Sequence, residues 1–173
     1  MAIKKWKTEG NGKQFVGNLA ACGNNVVIED GVRIFHPENV YIGENVYIGH
    51  DTILKGYYAA KLIIGNNVWI GQQCFIHAGG GIMIGNNVGI GPQVKMHAAR
   101  HRVPKDDQPI LFSPIEMRPI SIEDDVNLGI GCMIMGGVTI AKGTRVGANA
   151  VVTKSFPANS VVAGVPAVEI RTP

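Results

Sequence analysis

Hydrophobic residues recur every six positions along most of this chain, and few folds admit that period. With the first residue of each hexad as an anchor, the series runs Cys22, Ile28, Ile34; Ile42, Ile48, Leu54; Ile64, Ile70, Ile76; Ile84, Ile90, Met96; Ile122, Leu128, Ile134; Ile140, Val146, Val152. Every anchor except Cys22 is Ile, Leu, Val or Met. The fifth hexad position is often small or β-branched too, as at Val46, Val68, Val88, Val126 and Val138.

A unit this short can bury its apolar side only against its neighbours, which is the signature of a solenoid. Six residues make one short strand and one turn. Three hexads close a triangular coil, so stacked coils form three parallel sheets around a core of anchors. The turns agree: Asn-Asn at 24–25, 66–67 and 86–87, Glu-Asn at 44–45 and Asp-Asp at 124–125 share one phase, where left-handed backbone is tolerated. The period predicts an all-β parallel β-helix but not its hand, because a left-handed coil runs against the usual crossover preference.

Breaks in the period all follow a third hexad. Two residues are extra before Ile42 (Val40, Tyr41), four before Ile64 (Ala60 to Ile63), two before Ile84 (Ile82, Met83) and twenty before Ile122 (Arg102 to Ser121). Every insertion therefore leaves from one edge of the prism. A structureless segment as long as 102–121 is uncommon inside a compact domain and is usually functional. The expected layout is an N-terminal cap over 1–21, with Trp6 and Phe15 closing the open end of the first coil, a β-helix over 22–157 with a protruding loop at 102–121, and a C-terminal segment over 158–173.

Composition narrows the function. The chain has 173 residues, enough for one domain, and 46% are hydrophobic, yet no apolar run reaches the length of a membrane span. Residues 1–13 are basic without an apolar segment, so no secretory signal is expected and a cytoplasmic location follows. Cys22, Cys74 and Cys132 fall at anchor or fifth positions and read as core thiols, not as a disulfide or metal set. A net charge of +3 without aromatic-basic interleaving argues against nucleic acid but suits an anionic small cofactor. The aromatics Phe35, Tyr41, Tyr47, Trp69 and Phe75 are expected at the surface, for a subunit contact or an acceptor site.

His101 closes the hexad at the root of the long loop, in Met96-His97-Ala98-Ala99-Arg100-His101-Arg102. A histidine projecting from that edge suits a general base for a hydroxyl or amine, its ordinary pKa lying near neutrality. A lone histidine is more often structural or merely solvated. His77 and His97 hold the same hexad position in consecutive coils and should stack at about 4.8 Å, one strand spacing.

Ile122 to Gly131, then Gly136-Gly137-Val138-Thr139-Ile140, Val146-Gly147-Ala148-Asn149-Ala150-Val151-Val152-Thr153-Lys154 and Val161-Val162-Ala163-Gly164-Val165-Pro166-Ala167 resemble the hexapeptide-repeat acyltransferases. The likeness covers roughly 22–170 and is greatest to the galactoside and maltose acetyltransferases and to the sugar O-acetyltransferases of capsule and lipopolysaccharide pathways. The resemblance implies a left-handed β-helix, a homotrimer, acetyl-coenzyme A as co-substrate in a groove between copies, and a place in polysaccharide biosynthesis. It implies His101 as catalytic base. It places the pantetheine arm along Gly129, Ile130, Gly147 and Ala148, with Thr153, Lys154 and Arg171 near the phosphates. Backbone N–H groups near Gly129 and Ile130 are the expected oxyanion donors.

For the acceptor, the family's Asn one coil earlier is matched by Gln73, so the pocket differs, and His77 and His97 are expected to line it. Asn127 replaces a Trp common in the family's fifth coil, and Glu116 is a candidate to orient His101. The γ-class carbonic anhydrases share this fold and bind zinc through histidines; here the frame from His50 reaches Lys55, and His97 to His101 has the wrong spacing, so no metal is expected. The implied reaction is acetyl transfer to a hydroxyl of a sugar or nucleotide-sugar acceptor. N-acetylation of an amino sugar nucleotide and a non-catalytic β-helix scaffold are the alternatives.

Overall fold

The computed structural model describes residues 18–104, 107 and 109–171, with Arg171 described by its backbone alone. The chain winds into a parallel β-helix, as the hexads require. Face A carries Ala21–Cys22, Val40–Ile42, Leu62–Ile64, Ile82–Ile84, Ile120–Ile122 and Thr139–Ile140. Face B carries Val26–Ile28, Val46–Ile48, Trp69–Ile70, Gly89–Ile90, Asn127–Leu128, Arg145–Val146 and Val161–Gly164. Face C carries Arg33–Phe35, Ile53–Lys55, Phe75–His77, Lys95–His97, Met133–Met135 and Val151–Val152.

Within each face the anchors sit in register from coil to coil. Ile42, Ile64, Ile84, Ile122 and Ile140 form one column, and Leu54, Ile76, Met96, Ile134 and Val152 another. From Ile42 to Val152 no anchor is more than 3% exposed. Each such side chain contributes about 1.5–3 kcal/mol by leaving water, so the period of six is maintained by burial. Thr52 is fully buried, and its hydroxyl donates to the Gly71 carbonyl at 2.9 Å and accepts from Cys74 N–H at 3.2 Å. Its polar group is thereby satisfied inside an otherwise apolar column.

The corner between faces A and B is closed by side chains. Asn45 donates to Asn67 at 3.0 Å, Asn67 to Asn87 at 3.2 Å and Asn87 to Asp125 at 3.1 Å. All four adopt left-handed backbone, with φ between 55° and 60°. The B–C corner uses Asp51, Gln73, Gln93 and Asn149 in the same conformation, with Gln93 donating to Gln73 at 3.1 Å.

All insertions emerge at the C–A corner, but their limits differ from those given by counting. Strands resume two residues before each face A anchor, at Val40, Leu62, Ile82 and Ile120. The insertions therefore lie within 36–39, 56–61, 78–81 and 98–119, each segment also holding the ordinary turn residues of its corner. A strand needs the residues flanking its anchor for its ladder bonds, so the surplus is expelled right after face C. The longest insertion is also structured: Ala99–His101 pairs antiparallel with Ile115–Met117, and Ile110–Phe112 forms a 3₁₀ turn. It leaves at Ala99 instead of Arg102 and rejoins at Ile120.

At the C-terminal end, Phe156 bridges to Ile140 and Val161–Gly164 adds a seventh strand to face B, so the helix continues past 157. Ala167–Arg171 then folds back antiparallel after a cis Val165–Pro166 bond. At the other end, Cys22 is exposed, not in the core, because its strand is the edge of face A. Cys74 and Cys132 are buried, and burial pushes their thiols up to about 11 and about 12. Tyr47, expected at the surface, is only 3% exposed and stacks on Trp69 with ring centroids 5.8 Å apart. The expected cap residues Trp6 and Phe15 lie outside the described residues. No helix among the described residues is long and apolar enough to cross a membrane.

Candidate active site

The excursion at 98–119 is an antiparallel ribbon, and its pairing fixes what His101 can do. Arg100 faces Glu116 and His101 faces Ile115 in register. Arg102 N–H donates to the Pro114 carbonyl at 2.9 Å, which ties the far side of the ribbon close to His101. Ser113, 5% exposed, donates its hydroxyl to the Ile110 carbonyl at 2.6 Å and turns its own carbonyl toward the imidazole. His101 Nδ1 lies 3.2 Å from that carbonyl. A carbonyl only accepts, so Nδ1 carries the proton and Nε2 keeps its lone pair. His101 is thus an exposed imidazole held in the tautomer of a base.

Glu116 does not orient it. Its carboxylate takes Arg100 Nε at 2.9 Å, and that bond, reinforced by Arg118 and Arg102, holds Glu116 below the usual carboxylate range. Alternate side chains of a strand point to opposite faces, so the residue beside His101 in sequence takes the carboxylate. The orienting group is a backbone carbonyl, which no residue type encodes.

Under the root of the ribbon lies a cavity of about 150 Å³ lined by Ala99, Arg100, Arg118, Met135, Gly136 and Thr153. Arg118 was not a sequence candidate, yet its guanidinium lies across Gly137, where an added Cβ would come within 2.8 Å of it. Arg118 has no carboxylate partner among the described residues. Thr153 therefore shares a cavity with two arginines. Lys154 is exposed, with Nζ 5.5 Å from the Phe156 ring centroid. The Arg171 side chain lies outside the described part of the structure.

Gly129, Ile130, Gly147 and Ala148 fall at the B–C corner, across face C from Thr153 and Lys154. The two glycines have a structural reason of their own. A Cβ on Gly129 would sit 2.7 Å from Ala148 N, and one on Gly147 would sit 2.9 Å from the Ala163 Cβ. Close stacking of coils alone requires them. Gly129 N–H is committed to the Val146 carbonyl at 2.8 Å and is no oxyanion donor. Ile130 N–H has no acceptor among the described residues, and the side chain is 50% exposed.

The acceptor candidates divide. Gln73 belongs to the B–C turn ladder, while His77 and His97 end their strands at the C–A corner. His77 and His97 meet edge to face, with ring centroids 4.9 Å apart. Tyr57 reaches His77 at 5.7 Å, Tyr58 packs on Tyr57 at 5.0 Å, and His36 packs on Tyr58 at 4.4 Å. Burial, then the neighbouring His97 and Lys55, lower the pKa of His77. His36, Tyr57 and Tyr58 were missed as candidates. Coil spacing gave no signal for them: the residue one coil before His77 is Lys55, and Tyr57 and Tyr58 lie in the insertion that follows it.

Two family models match the chain. The one described as bacterial transferase hexapeptide (six repeats) covers 119–154, and the one described as hexapeptide repeat of succinyl-transferase covers 61–91. A Saccharomyces cerevisiae protein named as an acetyltransferase is 31% identical over 153 residues, 88% of this chain and 66% of that protein. A Staphylococcus aureus 2,3,4,5-tetrahydropyridine-2,6-dicarboxylate N-acetyltransferase is 44% identical over 61 residues, 35% of this chain and 26% of the enzyme. The chain thus spans between about a quarter and two thirds of the length of these curated relatives.

Among solved structures, a maltose O-acetyltransferase from Clostridium difficile superposes with TM-score 0.60 at 28% identity, covering 88% of this chain and 69% of that one. AntD, an N-acyltransferase from Bacillus cereus solved with dTDP and 3-hydroxybutyryl-CoA, superposes with TM-score 0.79 at 24% identity, covering 89% and 83%, a likeness of fold. Hexads buried in register and these matches together identify a hexapeptide-repeat β-helix similar to the acetyl- and acyltransferases named above.

Proposed function

We propose that this protein transfers an acetyl group from acetyl-coenzyme A to a hydroxyl of a sugar or nucleotide-sugar acceptor, with His101 as general base. The observation that carries the proposal is the His101–Ser113 contact, which leaves Nε2 unprotonated at the end of the ribbon's first strand. Nε2 takes the hydroxyl proton as the acceptor oxygen attacks the thioester carbon. The tetrahedral oxyanion then collapses, the C–S bond breaks, and the imidazolium returns its proton to the departing sulfur. Atoms balance as acetyl ester plus free thiol, with no covalent enzyme intermediate. Ile130 N–H is the candidate oxyanion donor that remains.

The small residues at 129, 130, 147 and 148 would take the pantetheine arm, and Thr153, Lys154 and Arg171 the phosphates. The first set and Thr153–Lys154 occupy opposite edges of face C, while Arg171 ends the strand added to face B, so a groove between facing copies brings them together more simply than one chain does. The ribbon supports a homotrimer in the same way: Val103, Ile110 and Leu111 are 77%, 57% and 71% exposed, an apolar arm that a second copy would cover. A soluble cytoplasmic enzyme of polysaccharide biosynthesis fits this chemistry.

N-acylation of an amino sugar nucleotide is the second reading. It is favoured by the fold shared with the Bacillus cereus enzyme, a variant of which holds dTDP-4-amino-4,6-dideoxyglucose and coenzyme A. Thiol release from acetyl-coenzyme A across sugars, amino sugars and their nucleotide conjugates separates the two. Turnover abolished in His101→Ala supports acyl transfer through His101, and the preferred acceptor decides between oxygen and nitrogen. No turnover, together with no coenzyme binding by calorimetry, would leave a non-catalytic scaffold.

A further inference from the structure

The ring ladder at the C–A corner carries chemistry of its own. His77 is its centre, in contact with Tyr57, Phe75 and His97. Its Nδ1 is buried and has no hydrogen-bond partner among the described residues. A Cβ at position 79 would stand 3.0 Å from His77 Cε1 and 3.2 Å from Nδ1, so only glycine, which brings no side-chain acceptor, fits beside that edge of the ring. A proton on Nδ1 would be a buried donor with no acceptor, which is costlier than a buried lone pair. The proton therefore resides on Nε2, at the other edge of the ring. A second proton would also bury a charge beside Lys55 and His97, both of which already lower its pKa.

His77 is thus an uncharged donor, and His101, with its proton on the Ser113 carbonyl, is an acceptor. The two imidazoles hold opposite tautomers. Lys55, His77 and His97 form one column across three coils of face C. Lys55 lies 5.7 Å from the Tyr57 ring centroid and has no carboxylate partner among the described residues. Glu38, the acid nearest the ladder, is engaged with His36 at 3.3 Å. Tyr58, 77% exposed, offers an open ring face at the outer end. His101 follows His97 by four positions, a path of at most about 14 Å.

We propose that this ladder is the acceptor subsite and that it selects a phosphorylated sugar, free or as a nucleoside diphosphate conjugate. The sugar ring lies on the Tyr57–His77 faces, His77 Nε2–H donates to one of its oxygens, and Lys55 holds the phosphate. The proposal takes acyl transfer at His101 as given. An uncompensated ammonium at this position attracts phosphate and repels a protonated amine, which favours an oxygen nucleophile.

The test uses the full-length protein with acetyl-coenzyme A and three acceptors: a hexose, its 1-phosphate and its nucleoside diphosphate conjugate. Glutamine carries an amide nitrogen near the place of Nε2, and asparagine one near Nδ1. His77→Asn should raise acceptor KM about tenfold, with kcat and the acetyl-coenzyme A KM unchanged, and His77→Gln should restore most of it. Lys55→Ala should lower kcat/KM about tenfold for phosphorylated acceptors and leave the plain hexose unaffected. If both His77 variants match the wild type, or the phosphate preference survives Lys55→Ala, the subsite is wrong. Loss of oligomer mass with acceptor KM unchanged would make the ladder a subunit contact and overturn the proposal equally. If the wild type acylates nothing, acyl transfer is what fails. Calorimetry with a hexose 1-phosphate on wild type and Lys55→Ala then decides the subsite alone, with binding lost in the variant expected and equal or absent binding in both fatal.

Discussion

Two corners of the same prism obey different rules. At the A–B corner each coil is tied to the next by side chains, with Asn45, Asn67, Asn87 and Asp125 bonded in line and a left-handed turn residue in every coil. At the C–A corner the described residues form no such ladder, the Asn39 amide donating singly to the Tyr57 carbonyl at 2.8 Å. There the insertions leave, rings replace amides, and His77 and His97 meet His101's ribbon. The difference shows where a solenoid can accommodate function: a corner whose coils are not stitched to one another can change length and chemistry without disturbing the buried anchors.

The sharpest test of that division is His101→Ala. Turnover should fall by roughly 10² to 10⁴, the scale for removing a general base, while the thermal midpoint stays at the wild-type value. A midpoint that fell along with turnover would show that the C–A corner is structural after all.

The opposite experiment targets the stitched corner. A Cβ on Gly65 would lie 2.6 Å from the Gly85 carbonyl oxygen, a backbone atom that cannot move without shifting a coil. Gly65→Ala should cost about 1–3 kcal/mol in urea unfolding, as overpacking does, with acceptor KM unaltered. Asn67→Ala removes two ladder bonds and puts alanine at φ 56°. It should cost about 1–2 kcal/mol, from the lost bonds and the penalty of left-handed backbone. Unfolding curves indistinguishable from wild type would deny the ladder its role.

The same contrast governs what could be read from the residues alone. Ile42 to Val152 were legible because burial imposes their period directly. The corner that expels insertions was legible too, but their limits were displaced by several residues, since counting assigns surplus to the positions just before an anchor and strands claim those positions. Gly129 and Gly147 illustrate a signal with two causes, for coil stacking alone demands them. His101 was found at the loop root, whereas Ser113 was not, because a carbonyl brought round by a ribbon has no residue signature. The tautomer of His77 follows from the burial of its Nδ1 without a partner, which only the folded corner creates.

That burial has a consequence for stability. The pKa of His77 is lowered from 6.5 in the folded state, so between that lowered value and 6.5 the unfolded chain binds more protons. The stability contribution is complete above about 6.5 and is lost as pH falls through the folded pKa. The wild-type thermal midpoint should therefore decline on acidification below that point more steeply than that of His77→Gln, which has nothing to titrate there. Parallel curves for the two proteins would mean that His77 reaches solvent on both sides of its ring.

Thiol reactivity gives the smallest signal and reports on the ends of the prism. Cys74 and Cys132 are buried, with thiols raised to about 11 and about 12, so neither presents thiolate at neutral pH. Cys22 is raised as well, yet it is exposed at the edge of face A. A chromogenic disulfide should titrate one thiol in the native protein and all three in denaturant. Because Gly65→Ala strains the stitched corner and His101→Ala does not, only the first variant should speed the reaction of the two buried thiols. Equal acceleration in both would mean that the corners are coupled through the core.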